Sequence, residues 1–183
     1  MTEDEYLAYG LAHEGKYEFV NGELVAMSGC SLEHSLATMN VGALLHGRLR
    51  GAPCRVHSPD VRVHIGETGM YAHPDVTVVC GRAELAPTNP PSILNPRVVF
   101  EVLSPSTEAY DRGAKAAHYR QRPSIEAIVF VATEQRRVEV QTRNADGTWR
   151  LTEATTGEIA VPPLKLALPL DEVYAGFDAL AEE

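Results

Sequence analysis

Apolar and polar positions divide the first part of the chain into a hairpin and a long helix. Two short apolar runs, 17–20 and 24–27, flank Asn21-Gly22, a dipeptide that strongly favours a tight β-hairpin turn. The stretch 31–50 then predicts a helix that lies across a sheet, because its apolar residues recur at helical spacing. These apolar residues are Leu32, Leu36, Met39 and Ala43, with Leu44, Leu45 and Leu49 broadening the face.

The remainder of the chain shows mainly strand patterns. Strands are predicted at 54–65, 73–80, 97–103, 125–132, 137–143 and 149–152. Ser58-Pro59-Asp60 should bend the first of them, and a helix should run from Thr107 to about Arg122. Alternating leucines in the tail indicate an edge strand or an extended arm that packs on a partner, followed by a short helix over 171–181. This order predicts an α/β (α+β) fold, with a central mixed β-sheet flanked by helices and an N-terminal β-hairpin.

Length and composition fit one domain. The 183 residues are 44% hydrophobic and 22% charged, so we expect a single domain over 1–183, with a core at about 15–152 and a C-terminal arm at about 153–183. There is no apolar run long enough to span a bilayer and no signal-peptide pattern, which favours a cytoplasmic protein without a membrane partner. The spacing of Cys30, Cys54 and Cys80 predicts reduced, buried thiols.

The charge balance argues against a nucleic-acid partner. The formal net charge is −9, whereas proteins that bind nucleic acids tightly usually carry a basic surplus or stripe. The densest cationic group consists of Arg136, Arg137, Arg143 and Arg150. These arginines either face phosphates or are solvated strand charges balanced by acids, and the second interpretation is favoured.

Glu101 interrupts the most apolar run of the chain. The run 98–103 has the composition of a buried strand, and a carboxylate inside a core costs several kcal/mol unless it is compensated. We therefore expect a metal ion, a cation or a proton beside Glu101.

Asp75 is a second carboxylate that accompanies an apolar strand. It stands at the head of the apolar run 76–79. If this strand neighbours the Glu101 strand, the two carboxylates can meet, and a divalent cation between them would remove their repulsion. Oxygen ligands favour Mg²⁺ or Mn²⁺ over zinc. The alternative is that each acid merely marks a strand end or pairs with an arginine.

Lys115 lies in the middle of the predicted helix that follows Glu101. Asp111 precedes it by four residues and Tyr119 follows it by four, so the three share one helical face. Either Lys115 reaches back to the carboxylate pair, or Asp111 and Lys115 form an ordinary surface pair that contributes only a few tenths of a kcal/mol.

These residues resemble the PD-(D/E)XK nuclease pattern, with Pro74-Asp75 as its first half and Glu101 opening its second. More specifically, the chain resembles the Uma-two family of restriction-endonuclease-like proteins over about residues 15–143. The match is carried by Tyr17-Glu18, Gly22-Glu23-Leu24, His34, Pro74-Asp75-Val76, Glu101-Val102-Leu103-Ser104-Pro105-Ser106, Lys115 and Tyr119. The nuclease pattern has a lysine two residues after the acid, where this chain has Leu103. In the family it resembles, Lys115 on the following helix takes that place.

The resemblance implies a restriction-endonuclease-like fold and a metal-dependent nuclease. Asp75, Glu101 and the Val102 carbonyl would hold one Mg²⁺ or Mn²⁺ ion, and Lys115 would complete the catalytic set. The same resemblance gives possible auxiliary roles to Glu18, Glu23, His34 and Tyr119.

Three functions remain open from the sequence. The first is an endonuclease acting on nucleic acid, DNA being favoured, as a homodimer that cuts both strands of a duplex. The second, prompted by Leu103 and the acidic net charge, is a catalytically inactive nuclease-fold protein that serves in binding or assembly. The third is a metal-dependent hydrolase of a smaller phosphate ester.

Overall fold

Two six-stranded sheets and a two-stranded hairpin make up the β-structure of a computed structural model, which describes residues 1–27 and 29–180. The strands are β1 Tyr17–Val20, β2 Glu23–Ala26, β3 Cys54–His57, β4 Val63–Ile65, β5 Met70–Ala72, β6 Val76–Cys80, β7 Leu85–Ala86, β8 Ser92–Ile93, β9 Val98–Leu103, β10 Ala127–Ala132, β11 Val138–Arg143, β12 Trp149–Ala154, β13 Glu158–Val161 and β14 Leu166–Pro169. The helices are α1 Glu3–Ala12, α2 Leu32–Arg48, α3 Glu108–Tyr110, α4 Ala116–Gln121 and α5 Leu170–Val173.

The central sheet has the order β12-β11-β10-β9-β6-β3, in which β9 and β10 are parallel and the other neighbours antiparallel. The predicted α+β fold with a mixed sheet is therefore confirmed. Strand β9 lies inside this sheet, and all six of its residues are buried. Its side chains alternate between two apolar clusters, so that Phe100 and Val102 face one core while Val99 and Leu103 face the other.

The second sheet has the order β2-β1-β5-β4-β8-β7 and includes the predicted N-terminal hairpin. Asn21 and Gly22 both have positive φ, at 51° and 84°, as the tight hairpin turn requires. The predicted bend at Ser58-Pro59-Asp60 is present and has a larger effect than expected. It divides the strand in two, sending β3 to the central sheet and β4 to the second.

Helix α2 begins at the N-cap Ser31, whose hydroxyl accepts a hydrogen bond from the His34 amide at 3.2 Å. It packs on the central sheet as predicted, but not through the face that Leu32, Leu36, Met39 and Ala43 predicted. Ala37, Val41 and Leu45 are fully buried. Leu32 and Met39, which the periodicity assigns to the same buried face, are 66% exposed, because they lie on the opposite side of the helix.

The helix predicted from Thr107 is not regular. It consists of α3, a π-helical turn over Asp111–Lys115, and α4. A π turn changes the side-chain spacing locally and often occurs at functional sites. It lies where this helix passes over β9.

The tail packs on the chain's own core, so it is not an arm extended towards a partner. Strands β13 and β14 pair with each other, and Leu168, Leu170 and Val173 are fully buried in the same cluster as the α2 core residues. The short helix predicted over 171–181 corresponds to α5 and a 3₁₀ turn at Asp178–Leu180, and its last predicted residue lies outside the described part of the chain.

The prediction of three reduced, buried cysteines is wrong. Cys54 and Cys80 form a disulfide between β3 and β6, and Cys30 is free and exposed. The antiparallel register places the two bonded cysteines directly opposite each other, which their separation of 26 residues could not reveal. In the described residues, no helix is long and apolar enough to cross a membrane.

Replacing a core residue of α2 should destabilise the chain, whereas trimming its exposed face should not. Leu45→Ala should lower the free energy of unfolding by about 2–5 kcal/mol because it leaves a cavity against the sheet. Met39→Ala should change it by less than about 0.5 kcal/mol. Urea unfolding followed by circular dichroism measures both, and equal losses would contradict the orientation of α2.

Candidate functional site

The two carboxylates that the sequence singles out lie on adjacent strands. Glu101 is in the middle of β9 and is 2% exposed. Asp75 directly precedes β6, and the antiparallel pairing of Val76 with Phe100 places Asp75 opposite Glu101. The expectation that the two strands are neighbours is therefore confirmed.

Lys115 reaches back from the π turn to the acids. Its Nζ lies 3.0 Å from Oε2 of Glu101 and 2.9 Å from Oε1 of Glu18, with Oδ1 of Asp111 at 3.6 Å. The side chains of Lys115 and Asp111 are both buried. The alternative of an ordinary surface pair between these two residues is therefore wrong, and the ammonium serves three carboxylates at once.

Tyr119 completes the contacts of Glu101. Its hydroxyl donates a hydrogen bond to Oε1 of Glu101 at 2.6 Å, while Lys115 donates to Oε2. Each oxygen of this buried carboxylate thus has its own donor, as a buried charge requires.

Glu18 and Glu23 have different environments, although the family resemblance makes either one an auxiliary residue. Glu18 is buried, and besides Lys115 it accepts hydrogen bonds from the His73 amide at 2.8 Å and from the Tyr110 hydroxyl at 3.1 Å. Glu23 is exposed and pairs with Val20 in the hairpin. The period of two along a strand distinguishes the faces of β1, but only the packing of the hairpin decides which face meets the site.

Sequence reasoning did not find Tyr110. It precedes Lys115 by five residues, a spacing that gives no shared face on a regular α-helix. The π turn between the two residues changes that relation, and no sequence pattern predicted the turn.

Asp75 is held by the backbone of the Glu101 strand and by α2. The Val102 amide donates to its Oδ2 at 2.7 Å. The Nε2 of His34, in the first turn of α2, lies 3.4 Å from its Oδ1. His34 is therefore positioned to orient Asp75, and its Nδ1 is buried without a hydrogen-bond partner among the described residues.

The electrostatics of the cluster follow from burial and from crowding of acids. Burial raises the pKa of Glu101 well above its usual value, and the charges of Asp111, Asp75 and Glu18 add to this effect, while Lys115 opposes it. Burial alone would lower the pKa of Lys115, but the surrounding carboxylates raise it well above normal.

His34, at the edge of the cluster, is subject to the same two opposing effects of burial and neighbouring acids. Burial alone would lower the pKa of His34, but Asp75, Asp111 and the Val102 carbonyl together raise it. The His34 imidazole and the Lys115 ammonium are thus both favoured in their cationic forms. Three carboxylates contact this one lysine, and Asp75 and His34 lie beside them, so acids outnumber bases in the cluster.

The donors that the cluster offers are carboxylate oxygens, which hard cations prefer. In residues 1–27 and 29–180, no three His, Cys, Asp or Glu side chains converge in a geometry that could hold a metal ion. A Mg²⁺ or Mn²⁺ ion commonly takes one or two carboxylates and completes its shell with water and substrate oxygens. Asp75 and Glu101 are two carboxylates that adjacent strands bring together within an acidic cluster.

The other polar groups that the sequence raised have structural contacts. Arg137 lies 3.1 Å from Glu139, and Arg143 donates to backbone carbonyls while its guanidinium lies over the Trp149 ring. The interpretation of these arginines as charges balanced by acids is supported for Arg137 and for Arg136, which pairs with Asp171, but not for Arg143.

The sequence comparisons show the class of protein. The model of the Uma2 family, described as "Putative restriction endonuclease", matches residues 3–171. The chain therefore belongs to this family, as its motifs indicated.

Relatives and solved structures agree with this assignment. An uncharacterized protein of Synechocystis sp. PCC 6803 is 31% identical over 177 residues, covering 96% of this chain and 92% of its own length. A second uncharacterized protein of that organism is 29% identical over 153 residues, covering 84% and 86%. A crystal structure described as a putative nuclease belonging to DUF820, from Anabaena variabilis, has a TM-score of 0.75 at 15% identity and covers 96% of this chain and 98% of its own. This likeness supports the fold.

Removing the charge of Lys115 should destabilise the protein. Lys115→Met leaves Glu18, Glu101 and Asp111 buried without their cation, so the free energy of unfolding at pH 7 should fall by about 3–5 kcal/mol. Lys16→Met is the matched control, because Lys16 pairs with Asp60 at the exposed surface and its loss should cost less than about 1 kcal/mol. Chemical denaturation of both variants checks this, and similar losses would contradict the central role of Lys115.

The raised pKa of Glu101 gives a pH dependence of known sign. Because the pKa of Glu101 is higher in the folded than in the unfolded state, this residue makes stability fall as pH rises from about 4.5 towards its raised pKa. Glu101→Gln removes the effect. Relative to the native chain, the variant should therefore be more stable at about pH 8 than at about pH 5 in metal-free buffer. Denaturation at both pH values measures the difference, and a constant difference would contradict it.

Proposed function

We propose that the chain is a Mg²⁺- or Mn²⁺-dependent nuclease that hydrolyses phosphodiester bonds. The observation that carries this proposal is the placement of Asp75 opposite Glu101 on adjacent buried strands, with Lys115 reaching over them from the following helix. The family description supports it independently. The description of the Anabaena protein as a putative nuclease belongs to that protein, but it agrees with the proposal.

The ion-binding residues of this proposal are Asp75, Glu101 and the backbone carbonyl of Val102. When bound, the ion would polarise the phosphodiester and lower the pKa of an attacking water. The Val102 amide and His34 hold the two oxygens of Asp75, so this carboxylate enters the reaction already oriented. Such orientation of metal ligands by neighbouring groups is a common requirement of metal sites.

Lys115 acts through its ammonium. In the free protein it balances Glu18, Glu101 and Asp111. A metal ion beside Glu101 would neutralise part of the negative charge of these carboxylates. The Lys115 ammonium could then orient the water or stabilise negative charge on phosphate. Tyr119 keeps the carboxylate of Glu101 in place through its hydrogen bond. Tyr119, Glu18 and His34 thus position the proposed catalytic residues.

The substrate proposed is nucleic acid, with DNA favoured, and the location proposed is the cytoplasm. The net charge of −9 opposes binding to phosphates. Part of that charge is concentrated in the acidic cluster, where a divalent ion would offset it.

A second candidate is a nuclease-fold protein that binds or assembles without catalysis. Two observations favour it. The strand position of the usual lysine is occupied by Leu103, which is buried in an apolar cluster. The ammonium of Lys115 already lies within 3.6 Å of three carboxylates, so the protein carries its own counterion.

Titration of Mn²⁺ by calorimetry distinguishes the two. The native chain should bind the ion, and Asp75→Asn/Glu101→Gln should not, because both carboxylate ligands are removed at nearly constant shape. Glu23→Gln is the matched control, since Glu23 is an exposed acid of the hairpin, and it should bind as the native chain does.

Cleavage assays complete the test. Native chain and Glu23→Gln should cut DNA or RNA in Mn²⁺, and the double variant should lose at least about 100-fold in rate. Full cleavage by the double variant would overturn the proposed site. Activity on small phosphodiesters alone would favour the hydrolase of smaller esters, while absence of both binding and cleavage in the native chain would favour the inactive protein.

A further inference from the structure

Helix α2 is apolar on two opposite faces. Ala37, Val41 and Leu45 pack on the central sheet and are fully buried. On the other side, Leu32, Leu36, Met39 and Ala43 recur at helical spacing. A helix that is apolar all round normally has both faces covered, so the second set, here called the outer stripe, lacks the contact that its composition suits.

The outer stripe is largely uncovered in the described chain. Leu32 and Met39 each keep 66% of their surface exposed, more than any other large apolar side chain of the described residues. Ala43 is exposed and Leu36 is half-buried, with Gly176 beside it. The leucine-rich tail does not serve as a cover, because its own leucines are buried in the core.

The pattern of the outer stripe is complementary to itself in one orientation. Two copies of α2 that run antiparallel about a two-fold axis between residues 37 and 38 bring Leu32 opposite Ala43 and Leu36 opposite Met39. At each end of the helix pair, the large Leu32 then faces the small Ala43. In the middle, the large side chains of Leu36 and Met39 face each other.

Charges on α2 favour the same orientation. Glu33 lies in the first turn and His46 in the last turn, followed by Arg50. Arg48 is held within its own chain, by Glu172 at 3.3 Å and by the Ala167 carbonyl at 2.7 Å. Antiparallel pairing brings the acidic end of each helix near the basic end of the other and opposes the two helix dipoles. Parallel pairing would place like charges together. The arrangement therefore fits a second copy of this chain better than an unrelated helix.

We propose that the chain forms a two-fold dimer through the outer stripe of α2, with the two helices antiparallel. The 17-residue helix is about 25 Å long, so one helix pair buries less than the roughly 1,200 Å² of a stable standard interface. The dimer should thus be weak, with a dissociation constant on the order of micromolar. This inference does not depend on the nuclease proposal.

Sedimentation velocity on the full chain over about 1–200 µM tests the dimer, a range chosen around micromolar affinity. The native chain should shift from monomer to dimer with concentration. Met39→Glu and Met39→Lys should each be monomeric throughout, because Met39 lies within about half a turn of the axis and like charges would then face each other. Both variants should fold normally, since Met39 is exposed.

Mixing the two variants distinguishes this dimer from association through another surface. The Met39→Glu and Met39→Lys chains should associate when combined, because opposite charges then meet at the axis. Leu151→Glu is the control, since Leu151 is an exposed leucine on β12, away from α2, and it should dimerise as the native chain does. A native chain that stays monomeric, a Met39→Glu variant that still dimerises, or a mixture that fails to associate would each overturn the proposal.

Discussion

The burial of Glu101 is the constraint on which the site depends. A carboxylate in the middle of an internal strand is stable only if donors from elsewhere reach both of its oxygens, and here Lys115 and Tyr119 provide them. Lys115 in turn pairs with Glu18 on the hairpin. One buried charge thereby ties together a strand, the helix after it and the N-terminal hairpin, which lies far from both in the sequence.

The site also shows how a lysine can serve a strand from outside it. The position two residues after Glu101 belongs to Leu103, which packs with Val99 in an apolar cluster between the sheet and the second layer. The helix that carries Lys115 crosses the same face, so its ammonium arrives at Glu101 without displacing that packing. The π turn lies at this crossing. The Lys115 ammonium thus lies at the Glu101 carboxylate while the strand keeps its apolar contacts.

Helix α2 connects the site to the surface of the molecule. Its first turn carries His34 towards Asp75, its inner face packs on the sheet, and its outer stripe is exposed. The tail contributes Leu168 and Val173 to the core beneath the same helix. The exposed apolar surface therefore lies on α2 and not on the tail, where alternating leucines suggested it.

Local patterns in the sequence determined the hairpin, the long helix and most strands, because turn residues and side-chain periodicity act over a few residues. They also identified Asp75, Glu101 and Lys115, since charges in apolar surroundings need partners wherever the chain folds. Tertiary structure alone decided which partners these are. The choice of Glu18 over Glu23, the contact of Tyr110, the bond between Cys54 and Cys80 and the inner face of α2 all depend on register and packing between distant segments. Those relations arise from how sheets and helices pack together, which short-range periodicity does not encode.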